Sequence, residues 1–304
     1  HYNTDKELYR EFERQNPGIT IKVLEAKDKV LLNRLESEGD NSPADVLVLV
    51  DAARLVKASK LGLFRPSVSP TLQRLVPANL RDPQGKWYAL TRRARVPIVN
   101  PDIVDPASIK SYADLANPAL KGKLCLRNRK SPYNQSLVAD QIILRGEAAT
   151  AKWIRGMANN VSQEFFPKDT PQVQAVGKGK CGVAVVNTYY VGRMLAGRKG
   201  ADNKALAEKV KVVFPKPTHV NVSGAGVTAS SDNPQAALKL IEFLASPNAG
   251  KGYAAANLEY PVKGFGNNPI LRSWGTFKAD GVSVEQLGTK NKQAQQLMKD
   301  NGWK

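Results

Sequence analysis

Two extended segments, residues 87–100 and 219–227, constrain this chain more than anything else in it, because each is long enough to pass from one folded unit to another. The first is WYALTRRARVPIVN, an apolar run interrupted by Arg92, Arg93 and Arg95. The second, HVNVSGAGV, carries Gly224 and Gly226, which allow backbones to approach closely. Helices and strands alternate between and around these segments, so two chain crossings between two lobes are expected. The lobes are residues 1–93 with 219–268, and residues 94–218 with 269–304. The length of 304 residues agrees with two domains of about 150 residues each.

Taken in order, Thr4 and Glu7 form a capping-box pattern ahead of a helix with Leu8 and Phe12 on one face. Residues 19–24 alternate as a strand should. A helix from about Lys27 follows, with Val30, Leu31 and Leu35 at helical spacing, then the apolar strand 46–50 and a helix entered through Asp51. Further on come a strand at 124–126, helices at 135–144, 148–157 and 171–176, a strand at 181–186 and a short strand at 211–214. A strongly patterned helix at 236–244 and an amphipathic tail from about Ser283, with Leu287 and Leu297, complete the chain. This alternation predicts an α/β fold with a mostly parallel sheet covered on both faces. Such a sheet ordinarily begins with a strand, and none precedes His1, so a few amino-terminal residues are expected to be missing.

Composition narrows the function. No run approaches the roughly 18 apolar residues of a membrane helix. Lysine and arginine number 45 against 27 acids, a formal charge of +18 that favours polyanions, anionic surfaces or anionic ligands. The basic residues are dispersed, with no arginine-rich or zinc-finger spacing, so nucleic acid is not an expected partner. Two histidines, and no GxSxG, P-loop or HExxH pattern, argue against an enzyme. Cys125 and Cys181 sit in similar strand contexts without CxxC spacing. They form either a disulfide, which would favour an oxidising compartment, or two buried thiols.

The remaining feature is the stretch NTYYVGR, residues 187–193, where an apolar strand turns into a helix. Asn187 or Thr188 can cap that helix. Tyr189 and Tyr190 then project from the carboxyl end of a strand, where open α/β sheets keep their ligand crevices. The ordinary alternative is one ring in the core and one at the surface.

The order of these features resembles the periplasmic ferric-iron-binding proteins of bacterial ABC transporters, especially the cyanobacterial type. The resemblance covers nearly the whole chain. It rests on HYNTD at residues 1–5, RARV at 93–96, YYV at 189–191 and VSGAGV at 222–227. It implies a two-lobed periplasmic-binding-protein fold of the class II type, with two chain crossings and a ligand cleft between the lobes. By position it implies metal ligands at Tyr2, Tyr133, Tyr189 and Tyr190, with His1 a ligand in some relatives and not in others. It also implies a monomer, free in the periplasm or attached to a membrane surface, that delivers Fe(3+) to an inner-membrane ABC permease.

The chemistry is consistent with that resemblance. Ferric ion is a hard, highly charged Lewis acid, and phenolate oxygen is a hard anionic donor suited to it. Four phenolates around a 3+ ion leave one negative charge, and Arg93 and Arg193 are the expected compensating cations. A small anion could complete the iron shell. The alternative on the same fold is a binding protein for an organic or inorganic anion. His219, at the second crossing, is expected to have a core or hinge role.

Overall fold

The computed structural model describes residues 5–304, so His1, Tyr2 and the Thr4 cap lie outside the described residues. The chain divides into two units. Its strands are β1 (Val46–Val50), β2 (Tyr88–Val99), β3 (Leu124–Cys125), β4 (Val183–Asn187), β5 (Lys211–Val212), β6 (Val220–Val227) and β7 (Tyr260–Pro261). The two extended segments are β2 and β6. The chain passes between units at Arg92/Arg93 within β2 and at Asn221/Val222 within β6.

The first unit takes residues 5–92, 222–268 and 283–288. The three valines that alternate along β1 favour extended backbone, and β1 pairs antiparallel with β6, Val46 opposite Val227 and Val50 opposite Ser223. Gly226 earns its place there, since a Cβ would lie 2.3 Å from the Lys86 carbonyl oxygen and 2.6 Å from the Phe64 ring. After β1 the chain turns at Asp51, a buried non-glycine residue with φ of 90°. That conformation costs on the order of 1–3 kcal/mol. It places the Asp51 carboxylate to accept from the Ala53 amide at 3.1 Å and so start helix Ala52–Lys60. Phe12 and Phe243 anchor the helical layer with ring centroids 5.4 Å apart.

Residues 19–27 form no strand, against the expectation from their alternation. Val23 and Leu24 are 50% and 59% exposed, so the apolar positions have no face to cover. In helix Asp28–Glu38 the buried residues are Leu32 and Leu35, while Val30 is exposed.

The second unit takes residues 93–221, 269–282 and 289–304. Here the later half of β2 pairs antiparallel with β4, Arg95 opposite Asn187 and Val99 opposite Val183, and also with β5. β3 runs parallel to β4. The expectation of a mostly parallel sheet is therefore corrected, since in both units the crossing strands pair antiparallel with their neighbours. Ile98, Val173, Val176, Val186, Val191 and Met194 form a core that also holds the disulfide between Cys125 and Cys181, whose Cα atoms are 5.9 Å apart. The carboxyl tail is two helices, Val284–Thr289 and Asn291–Asp300. The second buries Ala294, Leu297 and Met298 and packs on helix Pro132–Arg145.

Candidate metal centre

All five residues of β4 are buried, and the strand delivers the chain to helix Thr188–Leu195 through Asn187, which keeps extended backbone at φ −77° and ψ 137°. Asn187 occupies the cap position, yet its side chain makes no capping bond. Its Oδ1 instead accepts from Nη1 of Arg95 at 3.1 Å. The amide of Asn187 donates to Oδ2 of Asp169 at 3.1 Å. The start of the tyrosine helix is thereby fixed by a buried acid and a buried arginine.

Tyr189 and Tyr190 lie ring against ring, with centroids 4.3 Å apart and planes inclined by 32°. Neither divides cleanly into a core and a surface ring, because Tyr189 is buried and Tyr190 is half-buried. The Tyr189 hydroxyl donates to the Tyr133 hydroxyl at 3.2 Å. Tyr133 comes from the first turn of helix Pro132–Arg145, so residues 56 positions apart in sequence present their phenols to one another.

Guanidinium groups surround these rings. Arg193 lies over the Tyr189 ring at 4.5 Å from its centroid, one helical turn along from Tyr190. Arg93, Arg95 and Arg127 lie 5.5, 5.9 and 5.3 Å from the Tyr133 centroid. Arg95 is held rigidly by Asp169 at 2.9 Å, by Asn134 Oδ1 at 2.5 Å and by the Val185 carbonyl at 3.1 Å. Asp169 also pairs with Arg127 at 3.2 Å. Asn134, the residue after Tyr133, donates to the Arg127 and Asn128 carbonyls at 2.8 and 3.1 Å.

Burial pushes the Tyr189 phenol well above its ordinary value. The neighbouring Tyr133 and Tyr190 add to the rise, and Arg93 opposes it. Tyr190 is raised for the same first reason, then by Tyr133 and Asp169, with Arg127 opposing. Both are therefore neutral near pH 7, and a cation that binds them must displace their protons. Only a strongly polarising ion does so readily.

Of the expected site residues, Tyr133, Tyr189, Tyr190, Arg93 and Arg193 are gathered in the second unit. His1 and Tyr2 fall outside the described residues. Sequence reading missed Arg95, Arg127, Asp169, Asn134 and Asn187. A signal was available in β2, where Arg93 and Arg95 stand two apart, hence on one face of a strand in which every residue but Arg92 is buried.

An α/β chain of two units, with phenols and fixed guanidinium groups converging in one of them, is a ligand-binding protein of the periplasmic-binding type. It belongs to the bacterial extracellular solute-binding protein family, which matches residues 41–281. Over 309 residues the chain is 43% identical to iron uptake protein A1 of Synechocystis sp., covering 100% of this chain and 85% of that protein. It is similar to the solved structure of Trichodesmium IdiA (FutA) in complex with iron and citrate ligands. That match has a TM-score of 0.96 and 38% identity and covers 100% of this chain and 97% of the other. It is also similar to apo FutA2 from Synechocystis, with a TM-score of 0.94, 38% identity and coverage of 100% and 96%. Among the described residues no helix is long and apolar enough to cross a membrane.

Proposed function

We propose that this chain is a periplasmic carrier that binds ferric iron as cargo through the phenolates of Tyr133, Tyr189 and Tyr190, and delivers it to the permease of an ABC transporter. Tyr2, with His1 beside it, would supply ligands from the other lobe, so that the ion is held in a cleft between the two. The observation that carries the reading is the convergence of three phenols from two helices, with Tyr189 and Tyr133 oxygens 3.2 Å apart. Phenolates so placed are hard anionic donors for a hard 3+ ion. The guanidinium groups of Arg93 and Arg193, beside the Tyr133 and Tyr189 rings, would offset the surplus negative charge of the loaded site. Iron and citrate in the Trichodesmium relative support the same cargo, and support an anion as a further ligand.

The test is the visible absorption spectrum after adding ferric citrate, beside a Tyr189→Phe Tyr190→Phe variant. A phenolate-to-iron band present only in the unaltered protein supports the proposal. A colourless, iron-free protein overturns it and leaves the anion-binding alternative, which the arginines around Tyr133 would serve.

A further inference from the structure

A second group of donor atoms lies in the same unit, independent of the tyrosines. Asp140 comes from helix Pro132–Arg145, His219 from the residue before β6, and Asp280 from the segment after helix Pro269–Ser273. Each offers one ligand atom, and the three atoms all lie within 4.8 Å of one another. Nδ1 of His219 is 3.6 Å from Oδ1 of Asp140 and 3.4 Å from Oδ2 of Asp280. These are ion-pair distances without hydrogen-bond geometry. Both ring nitrogens of His219 and Oδ1 of Asp140 are buried and make no hydrogen bond. The side chains are 1%, 1% and 3% exposed.

We infer that His219, Asp140 and Asp280 form a site for a divalent transition-metal ion such as zinc, separate from the proposed iron centre. Separations of 3.4 and 3.6 Å match the edge, roughly 3.4 Å, of a tetrahedron whose metal–ligand bonds are about 2.1 Å. One imidazole with two carboxylates suits zinc and its neighbours in softness. Two carboxylates and a neutral imidazole around a 2+ ion also give a neutral buried site, whereas an imidazolium leaves one negative charge uncompensated.

The donors are held from behind, as metal ligands are. Oδ2 of Asp140 accepts from Gln141 at 2.9 Å. Asp280 accepts from the Val282 amide at 2.8 Å and from the Val220 amide at 3.3 Å. The backbone on either side of Asp280 is laced to the His219 strand, with the Thr218 amide donating to the Lys278 carbonyl at 2.8 Å and the Asp280 amide to the Thr218 carbonyl at 3.0 Å. A groove of about 770 Å³, lined by residues 214–217 and 276–280, has Asp280 in its wall.

The sequence makes the test clean, because His1 is the one other histidine. Iron-free protein labelled with ¹⁵N-histidine is titrated with zinc chloride and followed by long-range ¹H–¹⁵N correlation, while bound zinc is measured by equilibrium dialysis. The expected result is one tightly bound zinc that moves the His219 Nδ1 resonance to the metal-bound range. Asp140→Asn and Asp280→Asn should each weaken binding by about 100-fold or more, since losing a ligand costs at least what losing its outer partner does. An unchanged His219 resonance under excess zinc, a shift confined to His1, or zinc binding by both variants as tight as the parent's overturns the inference. The resonance is read in the unaltered chain, so it decides the matter even where a variant fails to fold.

Discussion

Arg95 and Asp169 face one another at 2.9 Å with side chains 2% and 0% exposed, and between them they hold the strand end, the helix start and the loop that carry the three phenols. Removing one partner of such a pair leaves a buried charge without compensation. Asp169→Ala should therefore cost about 3–5 kcal/mol, read from the urea midpoint at constant slope. Its iron-loaded band should shift or vanish at the same time, because the amide of Asn187 loses its acceptor. An Asp169→Ala protein as stable as the parent would mean that Arg127 and Arg95 are satisfied elsewhere.

Ferric loading should release protons. Tyr189 and Tyr190 are held protonated by burial, so each phenol that ligates gives up one proton, and affinity must fall as pH falls. In a weakly buffered solution, loading from an unbuffered ferric salt with a fixed chelator should release one proton fewer for Tyr190→Phe than for the parent. Equal release by both proteins would remove Tyr190 from the ligand set.

The metal-free protein should lose stability at alkaline pH through His219. Burial alone would lower that imidazole, but Asp140 first and then Asp280 raise it to about 9. An unfolded histidine titrates near 6.5. Between those values the folded chain binds the extra proton, so the stabilisation is fully present below about 6.5 and fades as pH rises through 9. Asp140 is itself raised, because its burial outweighs the pull of His219. Unfolding midpoints measured from pH 6 to 10 should fall for the parent and fall less for His219→Gln.

Reduction of the Cys125–Cys181 bond, which spans 56 residues, should lower stability by about 4 kcal/mol through the freed unfolded chain. Melting with and without a reductant, with thiols counted, checks this. An unchanged midpoint in fully reduced protein would contradict it.

Two glycines should respond in opposite directions. Gly226→Ala places a methyl 2.3 Å from the Lys86 carbonyl and should cost about 1–3 kcal/mol. Gly252 lies inside helix Pro247–Asn257, with nothing nearer than Leu8 at 3.6 Å. There alanine should stabilise by up to about 1 kcal/mol. Denaturant midpoints of both variants read the two signs directly.

The features legible in sequence were those with a local cause. The crossing strands are long apolar runs, the phenols follow a β-branched strand, and the close approach at Gly226 follows from residue type. The alternation at residues 19–24 misled because periodicity reports a potential face and says nothing of whether a partner reaches it. Asn187 or Thr188 reads as a cap because nothing local shows that Arg95, 92 positions away, takes the side-chain oxygen of Asn187. Asp169 was invisible for the same reason, since its partners come from β2, from the residues after β3 and from β4. Arg93 and Arg95 could have been flagged together, because two arginines on one face of an apolar strand require buried acceptors.

The passage of β2 and β6 from one unit to the other also sets the sequence distances over which each unit must close. The first unit needs residues as late as Gly288 and the second as late as Lys304, so neither is closed by a single stretch of chain. The longest uninterrupted stretch belongs to the second unit, residues 93–221. The three phenols and the arginines beside them all fall inside that stretch, whereas Val46–Val50 finds its pairing strand only at Ser223–Val227, so the phenol scaffold closes over shorter sequence distances than the sheet of the first unit.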